Sequence, residues 1–365
     1  MGFKCGIVGL PNVGKSTLFN ALTQTAAAAA ANYPFTTIEP NVGDVPVPDP
    51  RLTQVATASR SPRVAPTRIT FVDIAGLVRG ASKGEGLGNQ FLAHIREVDA
   101  IAYVLRCFAG GDVTHVDGRI DPVADADTVE TELMLADLES LERRRAGIER
   151  RAITGEKEAK AQLASIDKAL ALVSGGQPAR MATVGAEEQK GWRQLQLLTA
   201  KPVLYVCNVD EAHAATGNAW SQAVELRAKA EGAGLVTISA KIEAELAGLT
   251  SDERADYLSH LGLAEPGLDH LIREGYRLLD LITFFTAGPK EARAWTVTAG
   301  TRAPQAAATI HTDFERGFIR AETVAWSDFV ALGGEVGAKE AGKMRLEGKD
   351  YIVRDGDVLR FRFAT

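Results

Sequence analysis

Cysteine is scarce in this 365-residue chain, which contains three cysteines, Cys5, Cys107 and Cys207. Each lies in an apolar stretch that is typical of a buried strand, and the three are far apart in the sequence. A disulfide framework or a structural zinc site requires more numerous or closely spaced cysteines. The composition therefore argues against both and favours buried thiols in a reducing cytoplasm.

Long apolar runs are absent as well. No stretch approaches the roughly 18–20 uncharged apolar residues that are needed to span a bilayer. The N-terminus leads directly into a predicted strand and lacks the pattern of a signal peptide. Gly2 is followed at position 6 by Gly6, not by the Ser or Thr of an acylation signal. We therefore expect a cytoplasmic protein with no membrane partner.

An excess of positive charge is also missing, since the formal net charge is −6 at pH 7. This value excludes a protein that is basic over its whole surface, as many nucleic-acid binders are, and no DNA specificity is expected. It leaves room for a basic face on one part of the molecule.

Short, continuous apolar runs recur along the chain, as they do in buried parallel strands. They are Phe3–Val8, Ile69–Val72, Ile101–Leu105, Val203–Cys207 and Leu235–Ile238. A Gly-rich turn and a helical pattern follow the first run, which is the strand–loop–helix unit of a parallel sheet. The predicted fold class is α/β.

The region between Asp127 and Ala200 interrupts this alternation and shows no strand signal. Apolar residues recur at helical spacing in two blocks that break near Thr154–Gly155, which predicts an inserted antiparallel helical hairpin. Its polar faces carry a set of basic residues, namely Arg143, Arg144, Arg145, Arg150, Arg151, Lys157 and Lys160. Two interpretations stay open: a solvated coiled-coil surface, or a surface that faces nucleic acid.

After about Asp280 the sequence becomes rich in alternating β patterns that are punctuated by Gly-Asp and Asp-Gly pairs. This predicts a separate small α+β domain. Its basic residues suggest an RNA-facing surface; they are Arg302, Arg316, Arg320, Lys339, Lys343 and Arg345.

The segment Gly9–Ser16 matches the phosphate-binding P-loop pattern. Gly9 and Gly14 permit the backbone angles that aim amide groups at a phosphate chain, together with the helix N-terminus that follows. Lys15 is expected to reach the β- and γ-phosphates and to act in catalysis, and the Ser16 hydroxyl to ligate Mg²⁺. The loop and first turn predicted to surround the phosphates are Asn12, Val13, Gly14, Lys15, Ser16 and Thr17.

A second element supports this site. Phe71–Gly76 ends a predicted strand with the pattern DxxG, in which Asp73 would hold Mg²⁺ through water and the Gly76 amide would contact the γ-phosphate. A loop that resembles a switch lies between the two elements, and either Thr36 or Thr37 in it can complete the shell of Mg²⁺ ligands.

Base recognition is predicted at Asn208–Glu211, after the fourth apolar run. GTPases of translation carry the pattern NKxD here, and its Asp accepts two hydrogen bonds from guanine. This chain has Val209 in place of Lys and Glu211 in place of Asp, a mismatch that favours ATP over GTP. Ser239, Ala240 and Lys241 match the loop that packs beside the base.

The chain resembles the YchF family of Obg-like P-loop ATPases over nearly its whole length. The resemblance rests on five stretches: Gly6–Thr17, Phe71–Gly88, Asn208–Glu211, His311–Arg320 and Lys339–Val353. It implies a P-loop G domain at 1–128 and 200–280, an inserted helical hairpin (coiled coil) at 129–199, and a C-terminal TGS domain of β-grasp type at 281–365.

The resemblance also implies function. It implies hydrolysis of ATP with Mg²⁺, with Asn208 and the Val209 backbone at the base, and it favours Thr37 over Thr36 as the Mg²⁺ ligand. It further implies association with the ribosome, with the large subunit and its rRNA as expected contacts, and a role in translation or stress control. Many relatives carry Cys where this chain has Thr36, so redox control through that position is not expected here.

One more feature concerns catalysis. Leu77 occupies the position at which Ras-like enzymes have the Gln that orients the attacking water, and an apolar side chain cannot do so. The family is said to use a histidine from elsewhere, and His115 is similar to that histidine. His94 is the competitor, but its setting predicts an amphipathic helix with a packed or solvated imidazole.

Two other functions are kept as alternatives. One is a GTPase that tolerates a degenerate base motif. The other is a nucleotide-gated protein that binds RNA or the ribosome and for which turnover only resets the bound state.

Overall fold

A computed structural model describes residues 3–30, 41–74, 87–110 and 120–364. The chain divides into two compact units. The first consists of Phe3–Gly43 and Thr70–Glu274, and the second of Asp44–Ile69 and Gly275–Thr365.

The strands of the first unit belong to a six-stranded sheet with the order β2-β4-β1-β5-β6-β7, in which most of the edge strand β2 is assigned to the second unit. The five predicted strands are present, and β4-β1-β5-β6-β7 pair in parallel. The three central strands β1, β5 and β6 are buried on both faces, so they are apolar without alternation, whereas burial in β4 alternates along the strand. The strands are β1 (Lys4–Val8), β2 (Val42–Pro46), β4 (Arg68–Asp73), β5 (Ala100–Arg106), β6 (Val203–Asn208) and β7 (Gly234–Ile238).

Helices connect these strands. Helix α1 begins at Lys15, directly after the loop that follows β1, and its first hydrogen bond runs from the Leu18 amide to the Gly14 carbonyl at 3.0 Å. The connecting helices are α1 (Lys15–Ala30), α3 (Leu87–Glu97), α7 (Ala219–Glu231), α8 (Ala240–Leu246), α9 (Ser251–His260) and α10 (Gly267–Leu278).

The inserted helical hairpin consists of α4 (Pro122–Ile153) and α5 (Lys157–Ser174). The turn between them contains Gly155, whose φ of 98° lies in the region that favours glycine. A core of alternating small and large apolar side chains joins the two helices and α6 (Gln189–Leu195). The buried Asp137 carboxylate accepts hydrogen bonds from the Leu198 and Thr199 amides at 2.8 and 2.9 Å, which ties α4 to the segment that leads into β6.

The second unit contains a second six-stranded sheet, with the order β11-β10-β12-β8-β9-β3. Its central strands β12 and β8 pair in parallel, whereas β10 with β12 and β8 with β9 are antiparallel. This mixed order is that of a β-grasp domain. The strands are β3 (Arg63–Ala65), β8 (Leu281–Ala287), β9 (Glu291–Thr298), β10 (Phe318–Ala325), β11 (Arg345–Glu347) and β12 (Asp357–Phe363).

Residues 44–69 contribute to this second unit although they lie early in the chain. Strand β3 pairs in parallel with β9, and helix α2 (Pro50–Ser59) buries Leu52 and Val55 against Phe285 and Phe329. The remaining helices of the unit are α11 (Ala303–Ala308), α12 (Thr312–Arg316), α13 (Trp326–Ala331) and α14 (Glu335–Glu340).

None of the helices in the described part of the chain combines the length and the apolar character that a membrane crossing requires.

Candidate nucleotide site

The loop between β1 and α1 has the backbone of a phosphate cradle. Asn12 and Gly14 both have positive φ, 66° and 90°, within a short turn, and such a conformation directs successive N–H groups toward one point. Space is equally restrictive. A Cβ at Gly9 would lie 2.7 Å from the Val104 carbonyl oxygen, and a Cβ at Gly14 would lie 2.1 Å from Asn208 Nδ2. Both positions therefore require glycine.

Lys15 and Asp73 meet at the carboxyl edge of the sheet. The Lys15 ammonium forms an ion pair with the Asp73 carboxylate, and the two side chains are 10% and 16% exposed. The structure thus brings the predicted phosphate-binding lysine and the predicted Mg²⁺-binding carboxylate together across 58 residues of sequence. Ser16 and Thr17, one and two residues further along α1, are both exposed.

Asn208 connects the phosphate loop to the predicted base loop. Its side chain is buried, its Nδ2 donates to the Val13 carbonyl at 2.9 Å, and its Oδ1 accepts from the Ala240 amide at 2.9 Å. A carboxamide can donate from its nitrogen and accept at its oxygen at the same time. Asn208 therefore fixes the relative position of two loops that are far apart in the sequence.

The three residues after Asn208 point in different directions. Val209 is buried, and its amide bonds to the Ile238 carbonyl at 2.9 Å. Asp210 caps a short 3-10 turn at Glu211–His213 and pairs with His213 Nδ1 at 2.6 Å. Glu211 is partly exposed and forms an ion pair with Lys241, which lowers the pKa of the Glu211 carboxyl. The carboxylate of Asp210 is thus engaged away from Glu211.

The predicted base loop follows β7. Ser239 and Ala240 are both buried, and Ala240 begins helix α8. Among the described residues, the Ser239 hydroxyl is one of the few buried side-chain groups with no hydrogen-bond partner. Such groups are rare in native proteins and call for a specific explanation, of which a bound ligand is one.

Several predicted site residues lie outside the described part of the chain. They are Thr37 with its alternative Thr36, Gly76, Leu77 and His115. The competing histidine, His94, is described: it is exposed on α3, a helix that buries Phe91 and Ile95. That arrangement is the amphipathic helix that was predicted for it.

Two residues that sequence reasoning missed hold the start of the loop after β5. Arg106 is buried at the end of β5, and its guanidinium donates to the Phe108 and Gly110 carbonyls at 3.3 and 3.2 Å. Asn218 donates from Nδ2 to the Cys107 carbonyl at 2.7 Å. An Asn directly before a helical pattern is a capping signal, but nothing local predicts its second partner.

The basic residues of the hairpin fall into two groups. Members of the first group are engaged: Arg143 pairs with Glu139 at 2.6 Å, Arg145 pairs with Asp167 at 2.8 Å, Arg151 pairs with Glu156, and Arg144 donates to the Leu195 carbonyl at 2.9 Å. The second group lies near the turn. The tip cluster, defined as Arg150, Lys157 and Lys160, is exposed and has no ion-pair partner within the described residues.

Comparisons with known proteins agree on one family. A model of 50S ribosome-binding GTPases matches residues 4–139, and the model YchF-GTPase_C, described as a protein of unknown function, matches residues 281–364. The chain is 57% identical over 363 residues to the protein named ribosome-binding ATPase YchF of Haemophilus ducreyi, which covers 100% of this chain and 99% of that protein. It is 51% identical over 365 residues to the protein of the same name in Bacillus subtilis, which covers 100% of each.

This chain belongs to the YchF family. The solved structure titled YchF GTPase, from Schizosaccharomyces pombe, agrees with this assignment: it is 37% identical, covers 99% of this chain and 98% of its own, and superimposes with a TM-score of 0.89. The YchF fold confirms the predicted class, an α/β P-loop domain with an inserted helical hairpin and a C-terminal β-grasp domain. As a YchF member with a P-loop GTPase domain, the protein is a nucleotide hydrolase.

YchF proteins are named after different nucleotides. The bacterial relatives are named ATPases, whereas the S. pombe structure is titled a GTPase.

Proposed function

We propose that this protein is a Mg²⁺-dependent ATPase that prefers ATP to GTP and acts on the ribosome in the control of translation or of the stress response. The observation that carries the choice of nucleotide is the sequence Asn208–Glu211 at the end of β6. Asn208 occupies the buried position from which GTPases begin base recognition, but a Glu stands where the guanine-binding Asp is required.

The chemistry favours adenine at this position. Guanine presents N1–H and N2–H₂, two donors that need a carboxylate at one fixed distance from the Asn. A carboxylate one methylene longer leaves such donors poorly paired, and a mispaired buried polar group costs about 1–3 kcal/mol. Adenine has no N1–H, so it does not make this demand. The buried Ser239 hydroxyl and the Ala240 backbone are further candidates to line the base pocket.

Phosphate binding is assigned to the loop and to Lys15. The loop amides from Asn12 to Thr17 would surround the β- and γ-phosphates, with the α1 N-terminus behind them. Lys15 would exchange its contact with Asp73 for the phosphates, and its charge would stabilise the negative charge that develops as the terminal phosphate leaves.

A magnesium ion fits the donors that are present. The Ser16 hydroxyl and the Asp73 carboxylate are hard oxygen ligands, and Mg²⁺ binds through one or two such groups and the phosphates of the nucleotide. When bound, Mg²⁺ neutralises charge on the β- and γ-phosphate oxygens. We assign Thr37 as a further ligand and Gly76 as a γ-phosphate contact; both lie outside the described residues.

Water activation is assigned to His115, because Leu77 cannot orient a nucleophile. A neutral imidazole would accept a hydrogen bond from the attacking water and hold it in line with the terminal phosphate. Arg106 and Asn218, which fix residues 107–110, would anchor the chain from which this histidine extends.

Ribosome association is supported by the hairpin. Ion pairs engage Arg143 and Arg145, whereas the tip cluster consists of three exposed cations, and Ile153 at the end of α4 is a large apolar side chain that is 77% exposed. A cationic tip with an apolar contact suits the phosphate-rich surface of a ribosome, whose RNA attracts Lys and Arg. Relatives are named ribosome-binding, and ribosomes are where we expect this protein to act, in the cytoplasm. The large subunit is the expected contact.

Comparing dissociation constants by calorimetry tests the choice of nucleotide. Non-hydrolysable analogues of ATP and GTP, each with Mg²⁺, would be titrated into the full-length protein. If the protein prefers ATP, the dissociation constant should be lower for the ATP analogue than for the GTP analogue. Equal or tighter binding of the GTP analogue would refute it and would favour a GTPase with a degenerate base motif.

A further inference from the structure

The mouth of the predicted base site contains an ion pair that links two segments. Glu211 lies on the 3-10 turn after β6, and Lys241 lies on the first turn of α8, 30 residues later. Their carboxylate and ammonium groups are in direct contact. Glu211 is also the residue that replaces the guanine-binding Asp of GTPases, so its charge partner bears on which base can bind.

Of the two neighbouring carboxylates, Glu211 is the one that is available to contact a base. The neighbouring Asp210 is engaged in capping its own turn and in its contact with His213. Asn208 is fixed by bonds to Val13 and Ala240, so the segment before Glu211 has little freedom to turn. A guanine entering this site would therefore meet the Glu211 carboxylate with Lys241 already on it.

We propose that Lys241 is a specificity-determining residue that disfavours guanine by occupying the Glu211 carboxylate. Guanine would have to displace an ammonium group from the carboxylate before its N1–H and N2–H₂ donors could be accepted. Adenine lacks the N1–H and does not compete for that carboxylate. The pair thus acts against the wrong base more than it acts for the right one, which is a common way to build specificity.

We expect Lys241 to have a modest effect on nucleotide selectivity, because the side chain of Lys241 is 66% exposed and that of Glu211 is 38% exposed. Exposed ion pairs contribute little, so removing Lys241 should raise the affinity for GTP by only about 1.4- to 5-fold. The affinity for ATP should change by less. Salt screens exposed pairs, so the ratio of ATP affinity to GTP affinity in the wild type should decrease as the salt concentration increases.

The role of Lys241 rests on the proposed ATP preference. The test is designed so that failure of the role of Lys241 can be distinguished from failure of the ATP preference. Calorimetry with the non-hydrolysable ATP and GTP analogues would compare the wild type, Lys241→Ala, Glu211→Gln and the double variant. Lys229→Ala is the matched control, because Lys229 is 70% exposed and forms a similar pair with Glu225 at 2.7 Å on α7. Melting curves would confirm that every variant is folded.

In Lys241→Ala we expect the ratio of ATP affinity to GTP affinity to be smaller than in the wild type. In Lys229→Ala this ratio should stay the same. In the Glu211→Gln background, Lys241→Ala should have no further effect on it. If the wild type prefers ATP and the ratio of affinities is unchanged in Lys241→Ala, the proposed role of Lys241 is overturned but the ATP preference is not. Equal losses for both nucleotides would also overturn that role, because Lys241 would then act on the nucleotide irrespective of the base. A wild type that binds GTP at least as tightly as ATP would overturn the ATP preference itself.

Discussion

Asn208 Nδ2 donates a hydrogen bond to the Val13 carbonyl oxygen at 2.9 Å, across 195 residues of sequence. The same amide accepts from the Ala240 N–H, so one buried side chain joins the P-loop to the loop that is predicted to contact the base. The relative position of the two loops therefore depends on Asn208.

Replacing Asn208 with Asp should remove the hydrogen bond to Val13 and keep the one from Ala240. The variant keeps an acceptor for the Ala240 amide, but it sets a carboxylate oxygen against the Val13 carbonyl where a donor is needed. We expect the free energy of unfolding to fall by about 1–3 kcal/mol, since buried polar groups lose their partners. Nucleotide affinity should fall by about 10-fold or more. Urea unfolding and calorimetry would measure the two effects, and wild-type values for both would contradict the assigned bridge.

Replacing Lys15 with Ala should remove the charge that binds the terminal phosphates. We expect hydrolysis to fall below about one-hundredth of the wild-type rate, as for the loss of other groups that stabilise developing charge. Phosphate release would measure the rate, and circular dichroism would show that the fold is kept. Lys229→Ala, a lysine variant on α7, should retain full activity. Survival of hydrolysis in Lys15→Ala would mean that the phosphate site is misassigned.

Replacing His115 with Ala should slow catalysis without weakening binding. Positioning of the water acts in the transition state, so turnover should fall by roughly 10- to 1,000-fold while the dissociation constant for ATP stays nearly the same. Single-turnover hydrolysis would be compared with His94→Ala, which removes an exposed imidazole and should keep the wild-type rate. If His115→Ala only lowers the melting temperature and leaves turnover per folded molecule intact, the histidine has a structural role.

Neutralising the hairpin tip should weaken ribosome binding. The triple variant Arg150→Ala, Lys157→Ala, Lys160→Ala removes the tip cluster, and phosphate contacts of this kind make binding steeply dependent on salt. We expect weaker cosedimentation with ribosomes and a shallower salt dependence, with basal hydrolysis unchanged. The control removes hairpin charges that are already paired, with Arg143→Ala and Arg145→Ala. Equal losses in both variants would argue against a contact at the tip.

Glu243 predicts a pH dependence of stability. Burial raises the pKa of its carboxyl from 4.5 to about 7, although the Gly267 amide donates to it at 2.8 Å and Arg254 offers a positive charge nearby. The folded state therefore binds the proton more tightly than the unfolded state does. The contribution of Glu243 to stability is largest below pH 4.5 and is lost as the pH rises to about 7, by at most about 3 kcal/mol.

Glu243→Gln isolates this effect, because the amide cannot ionise and keeps an acceptor for the Gly267 amide. Relative to the variant, the wild type should lose stability between pH 4.5 and 7 and then stay level. Urea unfolding at a series of pH values would measure the difference. A difference that does not vary with pH would show that Glu243 ionises in the folded protein as it does in the unfolded chain.

Local patterns by themselves determined much of this protein. The P-loop at Gly9–Ser16, the five apolar strands of the first sheet and the break of the hairpin near Gly155 follow from residue types and their spacing within short windows. These features are encoded locally because glycine backbone freedom, burial on both strand faces and helical periodicity act over a few residues. The resemblance to the YchF family rests on the same short stretches.

Only the tertiary structure decided the contacts that join distant segments. No local signal indicates that Asn208 bridges Val13 and Ala240, that Lys241 holds Glu211, or that Arg63–Ala65 adds an edge strand to the second sheet. Val209 stands where GTPases of translation have Lys, and its burial makes a lysine there costly. Such contacts depend on how separate elements pack, and packing is a property of the whole fold that periodicity in a short window does not contain.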